Sequence, residues 1–182
     1  STDGSREREQ ALVIAAQRGE TEAFAELVRT HQRRAYAVAR AIVLTHEDAE
    51  DAVQEGFLHA YRALDRFLPD QAFGAWLHRI VANAALDITR RKKVRDADTL
   101  ADTIASPFRD PGESDELRRR LRHALTTLGE RQRAVIVLHD IEGFKHSEIG
   151  KMLGIPDGTA RSDLHHARAR LRQELGPVRS HL

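Results

Sequence analysis

The sequence predicts an all-α protein: two small helical domains joined by an acidic flexible linker, the second containing a helix-turn-helix. Three observations carry this prediction. Apolar residues recur at three- and four-residue steps through most of the chain. No two alternating runs are joined by a hairpin signal. The helical period lapses in one long stretch, "DADTLADTIASPFRDPGESD", which carries prolines and acids instead. Charged residues are 31% of the 182 and aromatics only 5%, which suits solvated helices better than an aromatic-rich sandwich.

Taken in order, residues 1–9 are polar and read as a flexible tail. The first domain spans 10–95. Leu12, Ala15 and Ala16 make its first stripe, and Gly19 separates them from Ala23, Phe24, Leu27 and Val28. Tyr36, Ala39, Ile42 and Val43 read as a third segment. Thr45 is the expected N-cap of a fourth, with Asp48 three residues on. That helix buries Ala49, Ala52, Val53, Phe57 and Ala60. Pro69 breaks the chain, and a further helix runs through Trp76, Leu77, Ile80, Val81 and Leu86 into "RRKKVR". Residues 96–115 are the linker. The second domain, 116–176, shows stripes at Leu121, Leu125 and Leu128 and at Ala134, Val135, Val137 and Leu138. A short helix follows, with Ser147 as its expected N-cap and Gly154 as its stop. Residues 177–182 form a tail.

Several function classes are excluded. The chain has no cysteine, so disulfides, thiol catalysis and cysteine-ligated zinc are ruled out. No apolar run is long enough to span a bilayer and no signal-peptide pattern opens the chain, so a cytoplasmic protein is the expectation. Adjacent His165 and His166 point about 100° apart on a helix and would rarely share one ion. His46 and Glu50 have a better spacing but no evident third ligand, and HExxH is absent. No nucleophile with a positioned base and no Gly-rich phosphate loop is present. Neither an enzyme nor a bound cofactor is expected. The net charge of +1 favours no partner; the local distribution does.

"GIPDGTARSDLHHARARLR" reads as a turn followed by a helix. Gly154 suits a left-handed residue, and Pro156 prevents the preceding helix from continuing. Ala160, Leu164, Ala167 and Leu171 fall in one narrow stripe. Arg161, Ser162, His165, His166 and Ala169 lie opposite, with Arg168 and Arg172 on the flank. A buried stripe backed by a cationic, hydrogen-bonding face is what a major-groove reader needs. Asp163 is expected at the helix flank, pairing with His166 one turn on and opposing nearby phosphates, so that Asp163→Arg would tighten duplex binding.

In the first domain, Glu47, Asp48, Glu50, Asp51 and Glu55 exceed what helix capping needs, and read as a docking face for a basic protein surface. Downstream the sign reverses: Arg79, Arg90, Arg91, Lys92, Lys93 and Arg95 form a basic stripe. Phe67, Phe73 and Trp76 lie just before it, and Asn83 sits two turns after Trp76. Aromatics beside a basic track fit a single strand whose bases leave the stack. The alternative is that Phe73 and Trp76 are core.

"DAEDAVQEGFLHAYRALDRF", "FGAWLHRIVANAALDITRRKK" and "LGERQRAVIVLHDIEGFKHSEIGKMLGIPDGTARSDLHHARARLR" occur in this order. Together they resemble an extracytoplasmic-function (group four) sigma factor of the sigma-70 family, over roughly 10–175. The resemblance implies an alternative sigma factor that directs RNA polymerase to specific promoters. Asp48, Asp51, Gln54 and Glu55 would dock on the clamp helices of the largest polymerase subunit. Phe67, Leu68, Asp70, Phe73 and Trp76, with Asn83, would capture a flipped base of the minus-ten element. Arg79 and Arg90, Arg91, Lys92 and Lys93 would hold the nearby phosphates. The second domain would bind the polymerase flap and read the minus-thirty-five element through Thr159, Arg161, Ser162, His165, His166 and Arg168. The linker would run toward the active-site cleft. The resting-state partner implied is an anti-sigma factor, often membrane-anchored, while the chain itself does not insert.

The chain departs from the family pattern at Asp163 and His166, where arginines are common, and at Leu68-Pro69, where many members have Arg-Gly. A stand-alone helix-turn-helix regulator is the competing function, but it leaves the acidic helix and the aromatic-basic stretch unexplained. A helical metalloenzyme lacks converging ligands.

Overall fold

The computed structural model describes residues 2–98 and 115–176, which fall into two compact units dividing near Lys93. Every regular element among the described residues is helical. Residues 99–114 of the expected linker and the 177–182 tail lie outside the described residues.

The first unit contains α1 (Thr2–Gln17), α2 (Thr21–Ile42), α3 (His46–Ala63), a 3-10 turn (Leu64–Arg66) and most of α4 (Phe73–Asp98). Helix α1 corrects the expectation of a flexible 1–9 tail. Its polar start is held by tertiary partners: Arg8 donates to Glu26 at 2.7 Å, and Glu9 pairs with His31. The segments read separately around Leu27 and Ile42 are one helix, α2, since no glycine or proline lies between them. Thr45 caps α3 as expected, its hydroxyl accepting from the Asp48 N–H at 3.1 Å.

The core of this unit gathers Val13, Leu27, Ala60, Leu64, Phe67, Phe73 and Leu77 from α1, α2, α3, the 3-10 turn and the start of α4. Burying each large apolar side chain contributes about 1.5–3 kcal/mol, which is what orders the break after α3. The Gln17 amide donates to the carbonyls of Leu64 and Phe67 at 3.0 and 2.7 Å, tying α1 to both ends of the 3-10 turn. Gly56 lets α3 and α4 approach: a Cβ there would lie 2.7 Å from Val81 Cγ2 and 3.0 Å from its Cα.

The second unit contains α5 (Asp115–Thr126), α6 (Glu130–Ile136), a π turn continuing α6 (Val137–Ile141), α7 (His146–Leu153) and α8 (Asp157–Leu175). Helices α5, α6 and α7 all pack on α8. Leu128, Val135, Leu138, Phe144, Ile149, Met152, Leu164 and Ala167 fill the space between them. Helix α7 starts earlier than the Ser147 cap expected from sequence. Its N-cap is Lys145, whose backbone N–H is accepted by the Glu148 side chain at 3.2 Å. Gly154 does end α7 in the left-handed region, at φ 66°. The turn then brings the Ile155 N–H to the Gly150 carbonyl at 2.9 Å and launches α8 after Pro156.

Candidate nucleic-acid interface

On α3, Asp51, Gln54 and Glu55 are exposed together with Glu47 and Glu50, on the side away from buried Ala49, Ala52 and Gly56. Asp48 is half-buried. It pairs with Lys92 of α4, and Glu55 accepts from Arg91 at 3.2 Å on both oxygens. Arg90 pairs with Asp87 at 3.3 Å within α4. The basic stripe is therefore not a bare cationic track. Its middle residues lie against the acidic helix, so the two surfaces that sequence reading kept apart form one seam. Arg79 and Asn83 are exposed on α4. His46 is used locally: Nδ1 meets the Tyr36 hydroxyl at 2.6 Å and Nε2 meets Glu50 at 3.0 Å.

The aromatic residues are arranged differently from the expectation. Phe67 and Phe73 are 3% and 2% exposed, which is too little to offer a base a stacking face. Their rings meet edge to face with centroids 5.5 Å apart, and both pack on half-buried Trp76. They are the floor of the loop rather than its reading surface. The solvent-facing part is Leu68, 57% exposed, with Asp70 beside it. His31, whose ring lies 5.5 Å from Phe73, also meets His78 with centroids 5.9 Å apart, a histidine the periodicity did not single out. His78 is buried, and its pKa is pushed down to about 3 by burial, then by the neighbouring His31 and Arg34 charges.

On α8, Arg161, Ser162, His165 and His166 are exposed, and Thr159 is half-buried near the helix start. Ser162 Oγ lies 3.4 Å from His166 Nδ1. Arg168 is held by a two-pronged bond to Asp140 of the π turn, at 2.9 and 2.6 Å. That bond, together with His139 at 2.7 Å, holds the Asp140 carboxyl below its usual range against the opposing effect of burial. His139 stacks on His146 with centroids 4.5 Å apart, and desolvation and the nearby cations push the His146 pKa down.

Asp163 overturns an expectation. It is 5% exposed and faces inward. Its carboxylate accepts from Arg131 Nε and Nη2 of α6 at 2.6 and 3.2 Å, and His166 is not its partner. The acid does not stand bare against phosphates, so the expectation that Asp163→Arg simply removes repulsion does not hold. Neither Arg131 nor Asp140 was marked by sequence reading, because each acts through a partner distant in the chain.

Two family descriptions match the chain. Residues 27–95 match Sigma-70 region 2, and residues 118–171 match Sigma-70, region 4. The chain is 39% identical to the ECF RNA polymerase sigma factor SigM of Mycobacterium tuberculosis, covering 95% of this chain and 88% of that one. The chain belongs to the extracytoplasmic-function sigma factors. The ECF RNA polymerase sigma-E factor of Escherichia coli is 32% identical, with coverage of 93% and 95%. Among solved structures, the sigma factor RpoE bound to the anti-sigma factor NepR from Bartonella quintana aligns with a TM-score of 0.71 at 27% identity, over 86% of this chain and 98% of that one. CnrH in complex with the cytosolic domain of CnrY aligns with a TM-score of 0.67 at 31% identity, over 92% and 97%.

This sigma factor is an alternative specificity subunit that directs RNA polymerase to promoters; polymerase and promoter DNA are its partners. The stand-alone regulator is not favoured, because the acidic and aromatic-basic helices lie within the region 2 match. No described helix is long and apolar enough to cross a membrane.

Proposed function

We propose that the exposed Asp51, Gln54 and Glu55 of α3 dock this sigma factor on the polymerase clamp helices, with Asp48 anchoring the face through Lys92. The loop around Leu68 and Asp70, with Asn83, captures a minus-ten base over the Phe67-Phe73-Trp76 floor, and Arg79 with the Arg90–Lys93 stretch meets the phosphates. The outer face of α8, with Thr159, Arg161, Ser162, His165 and His166, reads the minus-thirty-five duplex. The observation that supports this reading best is the exposure of both faces: the α3 carboxylates and the α8 polar row point to solvent while their opposite sides are core. Strand opening rests on binding energy alone, so the chain carries no catalytic chemistry of its own. It acts in the cytoplasm, where polymerase and promoter meet.

The resting partner in this reading is an anti-sigma factor, as in the RpoE–NepR complex. The test is transcription in vitro with core polymerase on a promoter library, with permanganate footprinting. Specific start sites with melting at the minus-ten region support the reading. Core polymerase that gains no promoter selectivity from the chain defeats it.

A further inference from the structure

Two oppositely poled ion pairs join α8 to one continuous stretch, α6 with its π turn. At the start of that stretch, Arg131 gives both prongs to Asp163; at its end, Asp140 receives both prongs from Arg168. Asp163 and Arg168 are five residues apart, so they project about 140° apart around α8. Between them, on the outer side, lie Ser162, His165 and His166. Both pairs have the two-pronged geometry that fixes orientation as well as distance. Their polarity matters too. Arginine precedes aspartate on α6 and the π turn, and aspartate precedes arginine on α8, so a roll of α8 breaks both pairs and a slide along α6 moves Asp163 toward Asp140. Asp163 is 5% exposed, whereas the Arg131 side chain is 57% exposed. The buried partner thus holds a guanidinium at the rim of the reading face.

We propose that Asp163 is a positioning residue for promoter recognition: with Arg131 it fixes the roll of α8, and thereby which side chains reach base edges, and it holds the Arg131 guanidinium at the DNA-facing rim. The proposal rests on the reading of α8 as the minus-thirty-five reader. The acid that departs from the family pattern is then a device that borrows a cation from α6.

The experiment uses holoenzyme assembled from the full chain and core polymerase. Its templates carry a fixed minus-ten element and a randomised minus-thirty-five duplex. Enrichment of preferred over average sequences is measured across a salt series. Asp163→Asn and Arg131→Met are each expected to cut enrichment about tenfold, the scale of one base-pair preference. Arg131→Met is also expected to lower the log–log salt slope by about one, because it removes a cation, whereas Asp163→Asn leaves the slope near that of the wild type. The charge-swapped double variant, Asp163→Arg with Arg131→Asp, is expected to recover most of the enrichment. Should Asp163→Asn lose helicity, Arg131→Met decides, because its side chain is more than half exposed. Wild-type enrichment in both single variants overturns the proposal. So does a change of slope without a change of enrichment, which makes Arg131 a plain phosphate contact. A wild type that shows no enrichment defeats the minus-thirty-five reading of α8 itself, and the proposal with it.

Discussion

Asp48 of α3 and Lys92 of α4 form an ion pair, and Glu55 and Arg91 form a second pair further along the same two helices. A partner for either helix therefore competes with an internal counter-ion. The Glu55–Arg91 pair is exposed on both sides and contributes about 0–1 kcal/mol, so that end of the seam is easily opened, whereas the half-buried Asp48 is held more firmly.

The docking face gives the first prediction. Asp51→Arg combined with Glu55→Arg is expected to weaken core polymerase binding by about tenfold or more, because each change reverses a charge on a solvent-facing position. Helicity by circular dichroism should remain, since neither side chain is buried. An unchanged affinity, read by fluorescence anisotropy, would place the docking surface elsewhere.

Strand opening should depend on the loop's exposed residues and not on its floor. Leu68→Ala and Asn83→Ala are expected to reduce open-complex formation by about 1–3 kcal/mol each, the scale of one base contact. Thermal midpoints should hardly move, because both side chains face solvent. Normal permanganate reactivity in the double variant would count against a flipped-base pocket.

Phe73→Ala should behave in the opposite way. The ring is 2% exposed and touches Phe67 and Trp76, so its loss is expected to cost about 3–5 kcal/mol of stability. Urea denaturation of the region 2 unit reads this directly. A variant as stable as the parent would show that the aromatic floor collapses without strain.

His78 gives the pH dependence. Its pKa is about 3 in the fold against 6.5 ordinarily, so folding favours the neutral ring. The charges that act on it include His31 and Arg34, with Glu9 paired to His31. The contribution of neutral His78 is complete above pH 6.5 and is lost as pH falls from there toward 3, by at most about 1.4 kcal/mol per pH unit. His78→Leu should flatten the acid limb of stability against pH in that window. An identical limb would assign the titration to another group.

The helical character, the Thr45 cap, the Gly154 stop and the buried stripe of α8 were all legible in the sequence. Each is set by residues within a turn or two of one another, where the 3.6-residue period acts directly. The start of α1 was not legible, because its polar turns are stabilised by Glu26 and His31 of α2 and not by a stripe of its own. Asp163 was misplaced for the same reason: its partner Arg131 is 32 residues away. Periodicity put it at a flank, and only the packing of α6 against α8 shows that the flank is covered. Phe73 and Trp76 stood open between core and a stacking platform, and Phe67 read only as platform although it is as buried as Phe73, since composition does not distinguish an aromatic that faces a base from one that faces another aromatic.

The Gln17 amide, bonded to the carbonyls of Leu64 and Phe67, bears on entropy. It fixes the chain up to Phe67, and α4 fixes it again from Phe73. Between them the chain closes one turn, the Gln71 N–H donating to the Leu68 carbonyl at 2.9 Å, and this short span is what can still lose freedom when something settles on it. Ordering a backbone residue costs about 1–2 kcal/mol, so each residue held in advance is a cost that association does not meet. In the proposed reading, an amide on the first helix, which need touch no nucleotide, would thereby raise the affinity of a base-capturing loop on the far side of the 3-10 turn.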